Sequence, residues 1–335
     1  MTPSLLETRY RTVLRMLPAY YRREREEEMV ETYLCDLDRE VQDQSRPTVG
    51  EVASVAALAV RSRLGAAGSP RGYELLGSAV RLFAVFAVLV QAAAAVVDDT
   101  LDLTWSTTRG PAQRQWFLDR FTDQGLVHGA AAAAQWTLPL LWAVAYFALL
   151  HDRRRLARAA ALLAALPTLW PLAEPLVDGT AHPDPAFAAT SGLLAWLTAL
   201  ALCAAYHRDA PPARLPVGSP GLVFLACCVV MGGCNVLVPT VADLVWTPAT
   251  GFLAGGLAWL LLRTRQPGSG TPGGALALAA LGLLILAVRA ASLALWIGVP
   301  VPAGYLGGSL AQTAALALLT AALAVVGGRE LAVRR

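Results

Sequence analysis

Residues Ser78 to Val97 read SAVRLFAVFAVLVQAAAAVV, twenty positions with one charge, Arg81. At 1.5 Å of rise per residue, a helix of this length crosses a hydrocarbon core of about 30 Å. The run decides the fold because it recurs. Seven further apolar stretches fall at Gly129 to Leu150, Leu156 to Val177, Ala186 to Tyr206, Gly221 to Val241, Pro248 to Leu262, Ala275 to Ile297 and Leu306 to Val326. The sixth of the eight is short and is expected to extend outward through Trp246. Composition points the same way: 56% hydrophobic and 15% charged residues over 335 positions, with a mean hydropathy of +0.51. That is far more apolar surface than one soluble core needs. The expected fold is all-α, a polytopic membrane bundle of about eight transmembrane helices over residues 73–328, behind a small N-terminal cytoplasmic three-helix domain.

Orientation follows from the arginines, because cytoplasmic loops retain positive charge during insertion. The loops after spans two, four and six carry Arg153, Arg154, Arg155 and Arg158, then Arg208 and Arg214, then Arg263 and Arg265. The tail, residues 329–335, adds Arg329, Arg334 and Arg335. The intervening loops hold Asp98, Asp99, Asp102, Asp119, Asp123, Asp178 and Asp184, and are expected to face outward. Arg109, Arg114 and Arg120 also lie after span one, where acidic residues outnumber them. An even number of spans then sets both termini in the cytoplasm of a cell whose inner membrane holds the chain.

Met1 to Gly72 lacks the continuous apolar region of a signal peptide and reads as a helical domain. Leu5, Leu6, Tyr10, Val13, Leu14 and Leu17 recur at helical spacing until Pro18. A second helix from Ala19 sets Tyr21, Met29, Val30, Tyr33, Leu34, Leu37 and Val41 on one face. Thr48 and Glu51 have capping-box spacing and open a third helix through Leu64, after the Arg46-Pro47 break. Gly65 to Gly72 reads as a linker. Arginine and acid balance here at eleven each, so no basic face is offered to nucleic acid. The mixed run Arg22 to Glu28 reads as a solvated face laced with i,i+4 pairs; the sharper reading is that Glu24, Glu26, Glu27, Glu28 and Glu31 dock a basic protein partner.

The stretch Leu17-Pro18-Ala19-Tyr20-Tyr21-Arg22-Arg23-Glu24-Arg25-Glu26-Glu27-Glu28-Met29, followed by Arg46-Pro47-Thr48, resembles the N-terminal prefix domain of actinobacterial integral membrane proteins, some ABC-transporter-type permeases among them. The absence of lysine among 27 basic residues is what a high-GC genome produces. The resemblance covers about the first 70 residues. It implies an inner-membrane protein with a cytoplasmic docking or regulatory prefix and implies no substrate. The chain lacks the large extracytoplasmic domain such permeases carry. It also lacks a Walker A pattern, so an ATPase would be a separate subunit.

Asp102-Leu103-Thr104-Trp105, outside span one, is echoed by Asp243-Leu244-Val245-Trp246, outside span five. The echo suggests two parallel four-helix units, 78–206 and 221–326, with a site at their interface. Arg289 lies about eight residues inside the outer end of span seven, roughly 12 Å of rise, too deep to snorkel comfortably. A guanidinium left in hydrocarbon costs about 2.5 to over 10 kcal/mol, so it must face the bundle or a wet cavity. Its candidate partners are Asp243, Glu174, Asp98 and Asp99, with Asn235, Gln91 and Gln312 as neutral groups. One reading is a clamp between helices. The other is a ligand site for a small anionic or amphipathic solute, built from Arg289, Asp243, Glu174, Asn235 and Trp246.

Pro139, Pro167, Pro171 and Pro239 each remove a helical hydrogen bond and predict kinks. Gly251 with Gly255, and Gly304 with Gly308, have the spacing of close helix contact. His128, His151, His182 and His207 are scattered over both membrane sides without metal-ligand spacing, and no GxSxG elbow or intramembrane EExxxR motif occurs. No enzymatic activity, metal or cofactor is expected. Cys35 is cytoplasmic, while Cys203, Cys227, Cys228 and Cys234 read as small apolar packers within spans. Trp105, Trp116, Trp246 and Trp296 fall at outer boundaries, where indole favours the interface. Two functions fit: a permease-like or regulatory membrane subunit that binds or moves a small ligand, or a membrane-anchored sensor that signals through its prefix.

Overall fold

The first apolar run lies within a far longer helix than its hydropathy predicts. The computed structural model describes residues 4–35, 45–65, 69–122, 125–179, 184–207, 210–213, 215, 218–238, 245–265, 271–296, 300–301 and 304–333, and no strand occurs among them. Two compact units result, Met1–Val80 with Glu330–Arg335, and Arg81–Arg329.

In the first unit, α1 (Leu5–Leu14) and α2 (Ala19–Leu34) meet at Pro18, and α3 (Val49–Arg63) follows. Ser4 caps α1 by accepting from the Glu7 N–H. Thr48 and Glu51 form the full reciprocal box at the start of α3, satisfying two otherwise orphaned donors. The core gathers Tyr10, Leu14, Leu17, Val30, Val55 and Ala59. Tyr10 stacks on Tyr33 at 4.0 Å between centroids, and the Tyr33 hydroxyl donates to Glu51 Oε2 at 3.0 Å. Leu37 and Val41, expected on α2, lie outside the described residues.

The second unit holds most of α4 (Arg71–Thr108), which carries the first apolar run at its middle. The remaining helices are α5 (Pro111–Thr122), α6 (Gly125–Thr137), α7 (Leu141–Leu150), α8 (Arg154–Ala165), α9 (Trp170–Asp178), α10 (Pro185–Ala205), α11 (Pro220–Leu237), α12 (Trp246–Arg265), α13 (Gly274–Leu295) and α14 (Tyr305–Val333). Short 3-10 turns at Leu138–Leu140 and Leu166–Leu169, holding Pro139 and Pro167, join α6 to α7 and α8 to α9. A proline without an N–H tightens the ladder there rather than ending the crossing.

Among the described residues, seven segments are long and apolar enough to cross a membrane: α4, the α6–α7 and α8–α9 pairs, α10, α11, α13 and α14. Exposed leucines and valines fit a lipid solvent: Leu222, Leu225, Val229 and Val236 run down one side of α11, and Leu283, Leu310 and Leu318 lie bare on α13 and α14. In water such a surface would be an aggregation liability. The eighth expected span is α12, whose start holds Trp246, Thr247, Pro248, Thr250 and Gly251 and lowers its hydropathy. Its Thr247, Ala249, Gly251, Phe252 and Gly256 are buried among its neighbours, while Leu257, Leu261 and Leu262 are exposed.

The core joins Leu82, Phe83, Ala87, Val90 and Val97 of α4 to Met231 of α11, Phe252 of α12, Leu281 and Ile285 of α13, and Leu316, Leu319 and Leu323 of α14. Small residues set the spacing. A Cβ on Gly282 would stand 2.5 Å from Thr320 Oγ1 and 2.6 Å from Phe252 Cζ. On the side of the arginine-bearing turns, α7 and α8 form a tight hairpin through Asp152, at φ +58°, and α8 packs an all-alanine face of Ala157, Ala160, Ala161, Ala164 and Ala165.

The segment after span one differs from its reading as an outer loop. Asp98, Asp99 and Asp102 lie on α4, and Asp119 on α5. At about 57 Å for 38 residues, α4 is much longer than the hydrocarbon core, so the acids mark where it leaves lipid, not where it stops. Hydroxyls of Thr100, Thr104, Thr107 and Thr108 bond back to carbonyls one turn earlier along this projecting end.

Candidate functional site

Helical spacing sets Asp98, Asp102 and Trp105 of α4 along one face. That face lines a cavity of about 440 Å³, closed by Arg120 of α5, Ala132, Gln135 and Trp136 of α6 and Asn235 of α11, with Asp99 and Leu101 beside it. It opens at the end of the bundle opposite the arginine-bearing turns. Its size falls within the range of small-molecule pockets.

Arg120 is paired within the site. It donates to Asp102 Oδ2 at 2.9 Å, and its guanidinium carbon lies 4.8 Å from the Trp116 ring and 5.0 Å from Phe117. Phe117, Phe121 and Trp136 form an edge-to-face cluster, with 5.9 Å between the Phe117 and Trp136 centroids. Asp98 accepts from the Thr247 hydroxyl, and Thr247 Oγ1 accepts from Asn235 Nδ2 at 2.7 Å. Three buried polar atoms of the lining residues have no hydrogen-bond partner among the described residues: Asp99 Oδ2, Asn235 Oδ1 and Trp136 Nε1. Buried polar groups are normally satisfied, so three in the lining of one cavity mark an incomplete arrangement.

Behind this cavity lies a polar seam. Arg289 has no exposed surface, and its guanidinium carbon sits 5.8 Å from the Trp246 ring centroid. Gln312 Nε2 donates to Trp246 O at 3.2 Å and to Thr250 Oγ1 at 2.9 Å. Of the five residues expected to hold a ligand, Arg289 and Trp246 meet in this seam, and Asn235 links it to the cavity through Thr247. Glu174 lies on α9, which packs with α10. Asp243 lies outside the described residues, as does the Asp243-Leu244 half of the internal echo.

Of the expected docking acids, Glu24, Glu27, Glu28 and Glu31 are exposed on α2 and Glu26 is half-buried beside Arg11 at 3.8 Å, and they are not equivalent. Glu27 is held by both terminal nitrogens of Arg11, at 2.7 and 2.9 Å, and Glu28 pairs with Arg25 at 3.4 Å. Glu24 and Glu31 stand clear of these pairs. No cluster among the described residues is suited to a metal ion. Cys203, Cys227, Cys228 and Cys234 are free thiols within helices. His128 packs edge-on against Trp170, and His182 lies outside the described residues.

Fold and site define a class: an all-helical, multi-pass membrane protein with an acidic, aromatic cavity at one end of its bundle. No family model, curated protein or solved structure matches the chain, so function must be argued from this geometry.

Proposed function

We propose that the chain is a permease-like inner-membrane subunit without enzymatic activity of its own, and that its bundle binds a small amphipathic ligand in the cavity at Asp99, Trp136 and Asn235. The observation that carries this reading is the set of three unsatisfied polar atoms in the lining of a 440 Å³ opening. A bundle built only to anchor or pack gains nothing from leaving them unmatched, since each costs about 1–3 kcal/mol. In this reading the termini are cytoplasmic and the prefix docks a protein partner, an ATPase subunit or a regulator, with Glu24 and Glu31 the acids left over for it.

The test is native mass spectrometry of the full-length protein purified from its own membranes in mild detergent. A small molecule retained by the wild type and lost from Ala132→Trp, which fills the opening, is the expected result. Identical spectra for both proteins would remove the ligand-binding reading.

A second reading has its own support. Arg289 is wholly enclosed rather than reached by water, as in a bundle whose polar seam only joins helices. On that reading the chain is a membrane sensor signalling through its prefix. An empty cavity in native material, together with a cytoplasmic regulator that co-purifies with wild type and is lost from Glu24→Lys/Glu31→Lys, would favour it.

A further inference from the structure

The cavity's chemistry narrows what enters it, and the narrowing rests on the reading that this opening is a ligand site. Its lining carries Asp98, Asp99 and Asp102 against one cation, Arg120. Arg120 is salt-bridged to Asp102 and lies over the faces of Trp116 and Phe117. Asp98 hydrogen-bonds a neutral hydroxyl, that of Thr247. Asp99 Oδ2 is buried without a hydrogen-bond partner among the described residues, and Asn235 Oδ1 is in the same position. Two acceptors in one cavity call for a ligand group with several N–H donors, and the uncompensated carboxylates call for positive charge.

The other walls ask for something apolar. Trp105, Trp136, Leu101 and Ala132 present ring and aliphatic surface, and Phe117 and Phe121 brace Trp136 from behind. Electron-rich indole faces attract cations and their attached CH groups. An anion would meet three carboxylates against the single, already salt-bridged Arg120 here, and a bare metal ion would leave the aromatic walls without a role. We infer that the ligand is an organic amine or amidine in its cationic form, its charged nitrogen at Asp99 and Asn235 and its apolar body against Trp105 and Trp136. This reverses the anionic preference that Arg289 alone suggests, because Arg289 is sealed in the seam while the carboxylates line the opening.

Trp105 and Trp136 also report occupancy. The experiment titrates full-length protein, in nanodiscs of neutral phosphatidylcholine, with three probes of similar shape: phenethylammonium, phenethyl alcohol and phenylpropionate. Tryptophan quenching is followed, with sodium chloride as the inorganic control. Saturable quenching by phenethylammonium is expected, with at least tenfold weaker binding of the alcohol and the carboxylate and none from sodium. Asp99→Asn should reduce the amine to the level of the alcohol, whereas Asp119→Asn, which removes a carboxylate bonded to Gln115 on exposed α5, should leave it unchanged. Equal binding of amine and alcohol, preference for phenylpropionate, quenching by sodium alone, or an indifferent Asp99→Asn overturns the cationic assignment while leaving a ligand cavity in place. Failure of all three organic probes overturns the assignment and the cavity reading together.

Discussion

The guanidinium of Arg289 lies 5.8 Å from the centre of the Trp246 ring, and the backbone carbonyl of Trp246 is held by Gln312 at 3.2 Å. A fully buried cation on α13 therefore rests against an aromatic side chain whose own backbone is pinned from α14. Desolvated pairs of this kind are worth about 2 kcal/mol or more. Trp246→Leu should lower stability by at least that amount, and Trp246→Phe, which keeps a weaker ring face, by distinctly less. Unfolding by increasing sodium dodecyl sulfate in mixed micelles measures both. Equal losses would show that bulk, not the ring face, matters at this position.

Acid should loosen the first unit through Glu51. The Thr48 N–H holds its carboxylate below the ordinary 4.5, with further help from the Tyr33 hydroxyl. A depressed folded value means the contribution is complete above pH about 4.5 and disappears as pH falls through the lower folded value. Amide exchange of residues 49–63 in the full-length protein should rise below pH 4.5, and Glu51→Gln should flatten that rise. Removing the cap hydroxyl in Thr48→Ala should cost about 1 kcal/mol at neutral pH. The Tyr33 phenol, pushed up to about 12 first by burial and then by its bond to Glu51, should stay un-ionised in an absorbance titration through pH 10.

The helical class, the prefix breaks at Pro18 and Thr48, and seven of the eight expected spans were legible because each depends on local periodicity or on length. The cavity was only half legible. Asp98, Asp99 and Asn235 stood out as possible neighbours of Arg289, but Trp136, Arg120 and Gln135 did not. Ending the first helix at Val97, where hydropathy falls, hid the face that Asp98, Asp102 and Trp105 share. Their spacing of four and three residues was the signal that would have found it. The pairing of Arg120 with Asp102 depends on α5 folding back toward α4, which no local pattern encodes.

Four arginines follow one another closely at the α7–α8 turn, and they do different work. Arg154 Nη1 donates to the carbonyl of His207 and Arg158 Nη2 to that of Tyr206, capping the C-terminal end of α10, while Arg153 and Arg155 are exposed. Helix ends leave carbonyls that need donors. Arg158→Ala should cost about 1–3 kcal/mol. Arg153→Ala and Arg155→Ala should each stay within about 0.5 kcal/mol. If these two serve only to fix orientation, replacing both with glutamate should raise the labelling of Cys35 by a membrane-impermeant maleimide applied to intact cells, with little change in the stability of correctly inserted protein. Unchanged labelling would show that other arginines dominate the topology.

Glycines Gly77 and Gly255 both sit inside helices, and the same substitution should move them in opposite directions. A Cβ at Gly77 would lie 1.9 Å from the Leu64 carbonyl oxygen, and backbone cannot rotate away as a side-chain tip can. Gly77→Ala must therefore displace either α4 or the end of α3, an overpacking cost of about 1–3 kcal/mol or more. At Gly255 nothing lies within 4 Å of the added carbon, and the residue lines an apolar recess of about 470 Å³. With no contact to oppose it, helix propensity decides, and Gly255→Ala should stabilise by up to about 1 kcal/mol. Thermal unfolding of the two variants side by side, in the same detergent, gives the comparison. A loss at Gly255 would mean that a partner helix or a second copy occupies the recess and needs the bare backbone there.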